Sequence, residues 1–175
     1  MTIKTITTIA ILIAGAVNAQ QSINPNMKHN WEDSRYTING DGTVTDKKTN
    51  LMWKRCEEGS SGSDCMTGTA AEYNWREALE LVNGHSFATY SDWRLPNIKE
   101  LRTIVAFDRN NPALNSTAFP NLPENTSHHV WSSTPTWLIH DGFANDSWFV
   151  KFNNGAAAAH DRINVHYVRL VRGGL

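Results

Sequence analysis

Residues 90–101 read YSDWRLPNIKEL, and this stretch decides how the middle of the chain folds. Asn97 and Glu100 have the spacing of a capping box, in which each side chain accepts a hydrogen bond from the backbone amide of the other residue. Pro96 restricts the backbone just before that cap and biases Leu95 towards an extended conformation. The stretch therefore predicts an extended arm that turns sharply into a helix.

The same stretch places Arg94 beside Trp93 within the extended arm. A guanidinium group that leaves water needs hydrogen-bond partners, because an unpaired buried charge is costly. We expect Arg94 to be held by carboxylate or backbone oxygen atoms as an internal strut. This interpretation favours a structural joint in this stretch over an active-site corner.

A second capping box begins the segment NWREALELVNGH, with Asn74 as the cap and Glu77 three residues later. Asn83-Gly84 is a pair that can take the left-handed conformation and end the helix. Apolar residues recur between these ends at helical spacing: Trp75, Ala78, Leu79 and Val82. We therefore predict a helix here and expect Trp75 in the core rather than at a binding surface.

Runs of β-prone residues lie on both sides of the helical segments. The early runs are Tyr36–Ile38, Thr43–Thr45 and Leu51–Trp53, separated by the turn signals NGDG and DKKTN. The late runs are HHVWSST, DSWFVKF and HYVRLVR. The sequence therefore predicts strands before and after the two helical segments.

The start of the chain has the pattern of a secretory signal peptide. Lys4 is followed by an apolar run from Ile9 to Val17, which is too short to span a bilayer, and small residues precede a cut after Ala19. We expect a signal peptide at 1–19, a linker at 20–30 and one domain at 31–175. The mature protein should be exported to the periplasm, the cell surface or the medium.

The charge balance argues against nucleic-acid binding. The chain has 16 Lys and Arg residues, of which Lys4 is in the predicted signal peptide, and 17 Asp and Glu residues. A nucleic-acid binder needs a basic excess to neutralise phosphates, and this chain has none. We expect no transmembrane segment after cleavage of the signal peptide.

Cys56 and Cys65 bracket the polar loop EEGSSGSD. In an exported protein, two cysteines at this spacing favour a structural disulfide over a redox-active pair, because the spacing is not Cys-x-x-Cys. Closing so short a loop stabilises the fold by about 2–3 kcal/mol in the chain-entropy model.

No catalytic or metal motif is legible in the sequence. There is no Gly-x-Ser-x-Gly pattern, and the serines of WSST fall on a predicted core strand. The histidines lack a zinc-binding spacing such as His-Glu-x-x-His, and we expect them to be solvated loop residues: His128, His129, His140, His160 and His166. We expect no metal, no cofactor and no enzymatic activity.

Two late segments, TPTWLIHDGFANDSW and NNGAAAAHDRINVHY, have the composition of a sugar-binding surface. Aromatic rings stack on the apolar faces of sugars, and amide and carboxylate groups bind their hydroxyls. The candidate ligand-binding residues are Trp137, His140, Asp141, Asn145, Asp146, Asn153, Asn154, His160, Arg162, Asn164 and His166. We expect Trp131 and Trp148 in the core, and for Trp137 stacking on a ligand and packing remain equal alternatives.

The motifs together resemble a known family. NGDGTVTDKKTNLMW, a cysteine pair, NWREAL, YSDWRLPNIKEL, NNPALNSTAFPN, VWSSTP and YVRLVRGG occur in this order. This order is similar to that of the family named for the C-terminal domain of Lcl, a collagen-like bacterial adhesin. The resemblance implies adhesion and the binding of a glycan, a surface polysaccharide or a glycosaminoglycan, and in the best-known member it implies a trimer.

The RLP joint, the WSS strand and the closing VRLVR also resemble the core of formylglycine-generating enzymes and C-type-lectin-like domains. That wider resemblance implies a small α+β fold, in which two helices pack on twisted antiparallel strands, the termini lie close together and long loops lie on one face. It assigns a framework role to Trp93, Arg94, Leu95, Pro96, Trp131, Val168, Leu170 and Arg172. Formylglycine-generating enzymes carry their copper-binding cysteines in the C-terminal part, whereas Cys56 and Cys65 lie early in this domain.

We therefore expect an exported, lectin-like protein that binds a glycan or acts in surface adhesion. The alternative is a structural subunit, or a protein that binds another protein, within a periplasmic or surface assembly. A formylglycine-generating type of enzyme is the least favoured interpretation.

Overall fold

The structure, a computed structural model, describes residues 21–28, 31–122, 128–137 and 145–173. The predicted signal peptide at 1–19 and the predicted site residues His140 and Asp141 lie outside the described residues. Within the described part of the chain, no helix has the length and apolar character needed to cross a membrane.

The strands are β1 Ser22–Ile23, β2 Tyr36–Ile38, β3 Thr43–Asp46, β4 Leu51–Lys54, β5 Ser60–Ser61, β6 Thr67–Gly68, β7 Glu72–Asn74, β8 Arg109–Asn110, β9 His129–Pro135, β10 Asp146–Lys151, β11 Ala156–Asp161, β12 Val165–Tyr167 and β13 Val171–Arg172. The helices are α1 Trp75–Glu80 and α2 Ile98–Thr103, with a 3-10 helix at Asp33–Arg35. The predicted α+β class is confirmed.

One sheet contains four antiparallel strands in the order β13-β4-β3-β2. The predicted NGDG turn joins β2 to β3, and Asp41 Oδ1 accepts hydrogen bonds from the Thr43 amide at 3.0 Å and from Thr43 Oγ1 at 2.6 Å. The Arg35 guanidinium pairs with Asp46 at 2.5 Å at the end of this sheet. The last strand of the chain thus lies next to one of the first.

The second sheet has the order β11-β10-β9-β12-β7. Its pairs are antiparallel except for β12 beside β9, where Tyr167 is opposite Val130 in a parallel contact. Two strands separate β11 from β12 in this order, yet His160 Nδ1 and His166 Nε2 are 3.1 Å apart. The sheet is therefore curled, and its concave side brings the two strands together.

Both predicted capping boxes are confirmed. The Asn74 side chain accepts from the Glu77 amide at 3.0 Å and the Glu77 carboxylate accepts from the Asn74 amide at 2.9 Å. Asn97 and Glu100 make the same pair of bonds, each at 2.9 Å. These reciprocal bonds satisfy amides that a helix start would otherwise leave open.

The joint formed by residues 90–101 is also confirmed. Arg94 donates from both terminal nitrogens to the Glu100 carboxylate, at 2.7 Å each, and from Nη2 to the Gly173 carbonyl at 2.9 Å. Its backbone pairs with Val171. At the same end of the chain, Arg172 Nε bonds to Asp92 at 2.7 Å. These contacts tie the arm before α2 to the end of the chain.

The core is divided into two clusters. One lies between the four-stranded sheet, α2 and β10, and its largest buried side chains include Trp53, Phe119 and Phe152. The other surrounds Trp93 and Trp131, of which Trp131 is fully buried as predicted. Trp148 differs from the prediction, because it is half-buried and belongs to neither cluster.

The predicted disulfide between Cys56 and Cys65 is present, with a sulfur–sulfur distance of 2.07 Å. It closes a loop that contains β5 and is followed by β6. Near the start of the described chain, Ser22 and Ile23 lie within the predicted linker and pair with β8.

Candidate functional site

A groove of about 440 Å³ lies at the end of the curled sheet where β10 begins and β11 ends. Its lining residues come from the cap and first turn of α1 and from the ends of the β10–β11 hairpin: Asn74, Trp75, Arg76, Asn145, Arg162 and Ile163. Asn145 and Arg162 are predicted site residues. The groove therefore joins one part of the predicted surface to a helix start that the prediction did not include.

Arg162 organises this groove. Its guanidinium carbon lies 4.4 Å from the centre of the Trp75 ring, its Nε donates to Ser147 Oγ at 2.9 Å, and its Nη2 donates to the Asp146 carbonyl at 3.2 Å. The Trp75 amide donates to the Arg162 carbonyl at 3.1 Å. Arg162 is thus held rigidly, with its planar group stacked on an indole.

Asn145 and Asn164 are positioned by Asp161. Asn145 Nδ2 donates to the Asp161 carboxylate at 3.1 Å, and Asn164 Nδ2 donates to the Asp161 carbonyl at 3.0 Å. Asp146 is almost fully buried, so its carboxylate faces the protein rather than solvent. Both asparagines consequently have fixed side-chain orientations, Asn145 in the lining of the groove and Asn164 next in the chain to the lining residue Ile163.

Trp137 follows β9 beside this groove and is 83% exposed. The amide of the preceding residue, Thr136, donates to the Asp146 carbonyl at 3.1 Å, and Arg162 contacts the same carbonyl. Thr136 and Arg162 thus bind the same carbonyl oxygen, and this places Trp137, the residue after Thr136, beside the groove. Of the two alternatives for this indole, the structure has it exposed rather than packed.

Other predicted site residues lie elsewhere. Asn153 and Asn154 are at the opposite end of the β10–β11 hairpin, about 20 Å away by strand length, where the Asn153 carbonyl accepts from the Asn111 amide at 2.8 Å. His160 and His166 face the concave side of the sheet. The described members of the predicted surface are thus divided among three places: the groove, the far end of the β10–β11 hairpin, and the contact between His160 and His166.

The prediction that the histidines are solvated loop residues is wrong for three of them. His128 and His166 are buried at 1% and 4% exposure, and His129 is half-buried at the start of β9. The curled sheet, which the local sequence does not reveal, turns these side chains inwards. His160 is exposed on β11 and hydrogen-bonds to His166.

Three histidines pack around Phe149. The ring centres of His129, His160 and His166 lie 4.7, 5.8 and 4.7 Å from that of Phe149. Burial, reinforced by neighbouring charges, lowers the pKa of His129 and of His166 to about 4. The buried imidazoles are therefore neutral at physiological pH.

A second region was not anticipated by the sequence analysis. The run KRCEE, residues 54–58, is buried with four charged groups: Lys54, Arg55, Glu57 and Glu58. Arg169, 1% exposed, joins this group from the segment between β12 and β13. The feature of the sequence that could have indicated this network is the density of charged residues next to a cysteine. Such a run ordinarily indicates a solvated surface, so it was not predicted to be buried.

Glu57 is the centre of a buried network. Its Oε1 lies 2.7 Å from His128 Nε2 and 3.3 Å from Arg169 Nη2. The His128 ring stacks on Tyr167 with centres 4.3 Å apart. Arg169 also donates from Nη1 to the carbonyls of Lys54 and Arg55. This network links the disulfide loop to the end of the chain.

Among the described residues, no group of three or more His, Cys, Asp or Glu side chains is positioned to hold a metal ion. His160 and His166 have rings inclined by 15° and are joined by a nitrogen–nitrogen hydrogen bond. Their facing nitrogens therefore form the donor and the acceptor of one hydrogen bond and do not point together at a metal position.

A comparison with curated proteins finds no match to the chain. The model of one family, the Lcl C-terminal domain, matches residues 42–172. The match begins in the turn between β2 and β3 and ends with β13, so it spans the strands from β3 to β13, both helices and the disulfide. It confirms the family resemblance carried by the ordered motifs. The chain belongs to the Lcl C-terminal domain family, which is associated with surface adhesins.

Proposed function

We propose that this protein is an exported, non-catalytic, lectin-like domain that binds a glycan at the groove beside Trp137. The observation that carries the proposal is the 83% exposure of the Trp137 side chain next to that groove. An indole left in water exposes a large apolar surface, and exposed apolar surface that is rimmed by polar groups often marks a binding site. The apolar face of a sugar ring is a suitable partner for it.

The groove also offers both kinds of hydrogen-bonding group that hydroxyls require. Among the described residues, Arg162 Nη1 donates to no acceptor and the Asn145 side-chain oxygen accepts from no donor. A sugar hydroxyl both donates and accepts, so it can bridge such a pair. Because Arg162 is held by Trp75 and Ser147, little side-chain entropy would be lost on binding.

Two further observations support export and a non-catalytic role. The disulfide between Cys56 and Cys65 is typical of an oxidising compartment. Ser132 is buried, and its hydroxyl donates to the Trp148 carbonyl at 2.7 Å, so it is not available as a nucleophile. The family association with surface adhesins supports the same interpretation.

A second candidate is a protein partner at the same place. Ile163 is 77% exposed at the groove and Val165 is 49% exposed on the adjoining strand. Exposed apolar side chains side by side favour contact with an apolar protein surface. In that case the domain is a subunit of a periplasmic or surface assembly, and light scattering of the purified protein gives a mass above that of the monomer.

The test is a glycan array probed with oxidised residues 20–175, at two salt concentrations and with and without EDTA. We expect saturable binding to a defined glycan class, and at least a tenfold loss for Trp137→Ala with an unchanged melting temperature. Met66→Ala is the matched control, because Met66 is also apolar, is 71% exposed and lies directly after the disulfide loop, outside the groove. A blank array with well-folded protein contradicts the glycan proposal and favours the protein partner.

A further inference from the structure

A cleft of about 650 Å³ lies between the β2–β3 turn and the disulfide loop, apart from the groove. Half of its twelve lining residues are apolar or glycine, including Phe87 and the 45% exposed Ile38, and the others are Asp41, Lys54, Arg55, Ser60, Ser61 and Ser63. Cys56 and Gly62 line it from the disulfide loop. Its size and apolar walls are those of small-molecule sites in proteins, which carry a few polar groups at fixed positions.

Lys54 supplies one such polar group. Its side chain is 9% exposed, its Nζ lies 2.6 Å from Glu58 Oε1, and the same atom is 4.7 Å from the centre of the Phe87 ring. An ammonium group has three N–H donors. Glu58 accepts one of them and the ring attracts the cation through its face. Among the described residues, Lys54 Nζ makes no further hydrogen bond, so donor capacity remains next to the cleft.

Arg55 supplies a buried positive charge without a counter-ion. Its three hydrogen bonds, of 2.8 to 3.1 Å, all go to neutral backbone carbonyls, those of Ser63, Thr117 and Ala118. No carboxylate of the described residues forms an ion pair with it. Burial accordingly lowers the pKa of the Arg55 guanidinium from its ordinary value. A buried charge left uncompensated in this way is destabilising.

The surrounding ion pairs do not offset this charge. Lys54 with Glu58, and Arg169 with Glu57, are each balanced within their own pair. The cleft also contains Asp41, but that side chain is exposed at the rim and its carboxylate already accepts two hydrogen bonds from Thr43. The floor of the cleft therefore keeps one unbalanced positive charge, which an anionic group on a ligand would neutralise.

The walls of the cleft are held in place before any ligand binds. A Cβ atom at Gly42 would lie 2.8 Å from Phe87 Cζ, so the absence of a side chain there is what lets the ring occupy its position. The turn that carries Phe87 has Ala88 and Thr89 in the left-handed region, at φ of 52° and 68°. Such residues are strained and are often found where a loop must hold a binding surface.

We propose that this cleft binds a small apolar ring that carries a carboxylate. The ring packs between Ile38 and Phe87, and the carboxylate accepts from the Lys54 ammonium and neutralises the charge of Arg55. Two sources have this chemistry: a free aromatic acid, and the last residue of a peptide with a large apolar side chain. Both place one negative charge at one end of an apolar body.

Three probes test the proposal by isothermal titration of residues 20–175. They are 3-phenylpropionate, N-acetyl-phenylalanine and N-acetyl-phenylalaninamide, which has the same ring as the second probe but no charge. We expect saturable binding of both acids and at least a tenfold weaker binding of the amide. Tighter binding of phenylpropionate indicates a free acid as the natural ligand, and tighter binding of N-acetyl-phenylalanine indicates a peptide end.

Ile38→Glu places a negative charge at the mouth of the cleft on a residue that is 45% exposed, so the fold should tolerate it. We expect at least a tenfold loss of affinity for both acids. Met66→Glu introduces the same charge at an exposed apolar residue that does not line the cleft, and it should bind as the unmodified protein does. Trp137→Ala should likewise leave this binding unchanged, which separates the outcome from that of the glycan proposal.

The proposal is overturned if neither acid binds saturably, or if the amide binds within twofold of the acids. It is also overturned if Ile38→Glu and Met66→Glu have the same effect, since the binding would then lie elsewhere. Lys54→Gln gives a second check through the amide probe: its affinity should change by less than threefold while that of the acids falls. Thermal unfolding of each variant confirms that the protein measured is folded.

Discussion

The groove beside Trp137 and the cleft beneath the disulfide loop differ in how their polar groups are stabilised. At the groove, Arg162 is stacked on Trp75 and Asn145 is bonded to Asp161 at the surface. At the cleft, Arg55 is 8% exposed and is surrounded by neutral carbonyls. The polar groups of the groove already have partners, so they suit a neutral, hydroxyl-rich ligand. In the cleft, an anion would offset the uncompensated charge of Arg55.

Two ion pairs of the chain show the same contrast between exposed and buried charge. Arg76 and Glu80 form an ion pair at 2.7 Å with side chains 85% and 56% exposed, while Glu57 and Arg169 are paired at 3.3 Å with side chains 4% and 1% exposed. Water screens the first pair and has been removed from the second. Breaking the buried pair should therefore lower the free energy of unfolding much more than breaking the exposed pair.

The largest expected effect comes from Glu57→Gln. It leaves Arg169 buried without its carboxylate, and breaking one partner of a buried pair costs about 3–5 kcal/mol. Glu80→Gln removes the acid of the exposed pair and should change the free energy of unfolding far less, because water already screens that pair. Urea denaturation of both variants measures the contrast. Equal effects would show that burial does not distinguish the two ion pairs.

Acid should weaken the curled sheet that carries the groove. The His166 pKa is about 4 in the folded protein against 6.5 for an exposed histidine. Between these two values the unfolded chain binds more protons, so the free energy of unfolding falls as the pH is lowered. The loss for His166 reaches roughly 3 kcal/mol near pH 4.

Urea denaturation at several pH values between 7 and 4 measures this dependence. His166→Phe removes one of the two histidines with a lowered pKa and should make the curve less steep, while His129 keeps its share of the acid sensitivity. A curve of unchanged slope in that variant would assign the acid sensitivity to other residues.

The disulfide distinguishes the two binding regions more directly. Replacing Cys56 and Cys65 together by serine should lower the free energy of unfolding by about 2–3 kcal/mol, from the lost constraint on a short loop. Cys56 lines the cleft but not the groove. Binding of the aromatic acids should therefore weaken while glycan binding is retained. Loss of both together would indicate that the loop supports the whole domain.

Smaller effects than that of the disulfide come from the two capping boxes, which form a matched pair. Asn74→Ala and Asn97→Ala each remove one cap and should each cost about 1 kcal/mol. Asn74 also lines the groove, whereas Asn97 does not. Only Asn74→Ala should change glycan binding, as measured by titration with the glycan identified on the array. A similar change in Asn97→Ala would trace the effect to helix stability.

The features that were predictable from the sequence depend on residues close together in the chain. Each capping box joins residues three positions apart, and the disulfide joins residues nine apart. The sequence also predicted that oxygen atoms hold Arg94, because a buried guanidinium needs such partners. One of its partners, Glu100, is six residues away, but the Gly173 carbonyl is 79 residues away and was not identifiable.

The site was less predictable, for a physical reason. Asn145, Arg162 and Trp137 carry the residue types that a sugar site uses, and the curled sheet brings them to one end. The same curl turns His166 and His129 inwards, although their sequence context is indistinguishable from that of exposed histidines. Trp148 fits the alternation of a buried strand but lies beyond both core clusters.

The sequence by itself determined the local elements: two capped helices, the main strands, a disulfide and the order of motifs that defines the family. Only the tertiary structure decided which charges are buried and which face solvent. Glu57 and Arg169 meet across 112 residues, and Glu57 and His128 meet across 71. Burial depends on such packing between distant segments. The residues of a run such as KRCEE therefore do not themselves indicate whether water surrounds them or has been excluded.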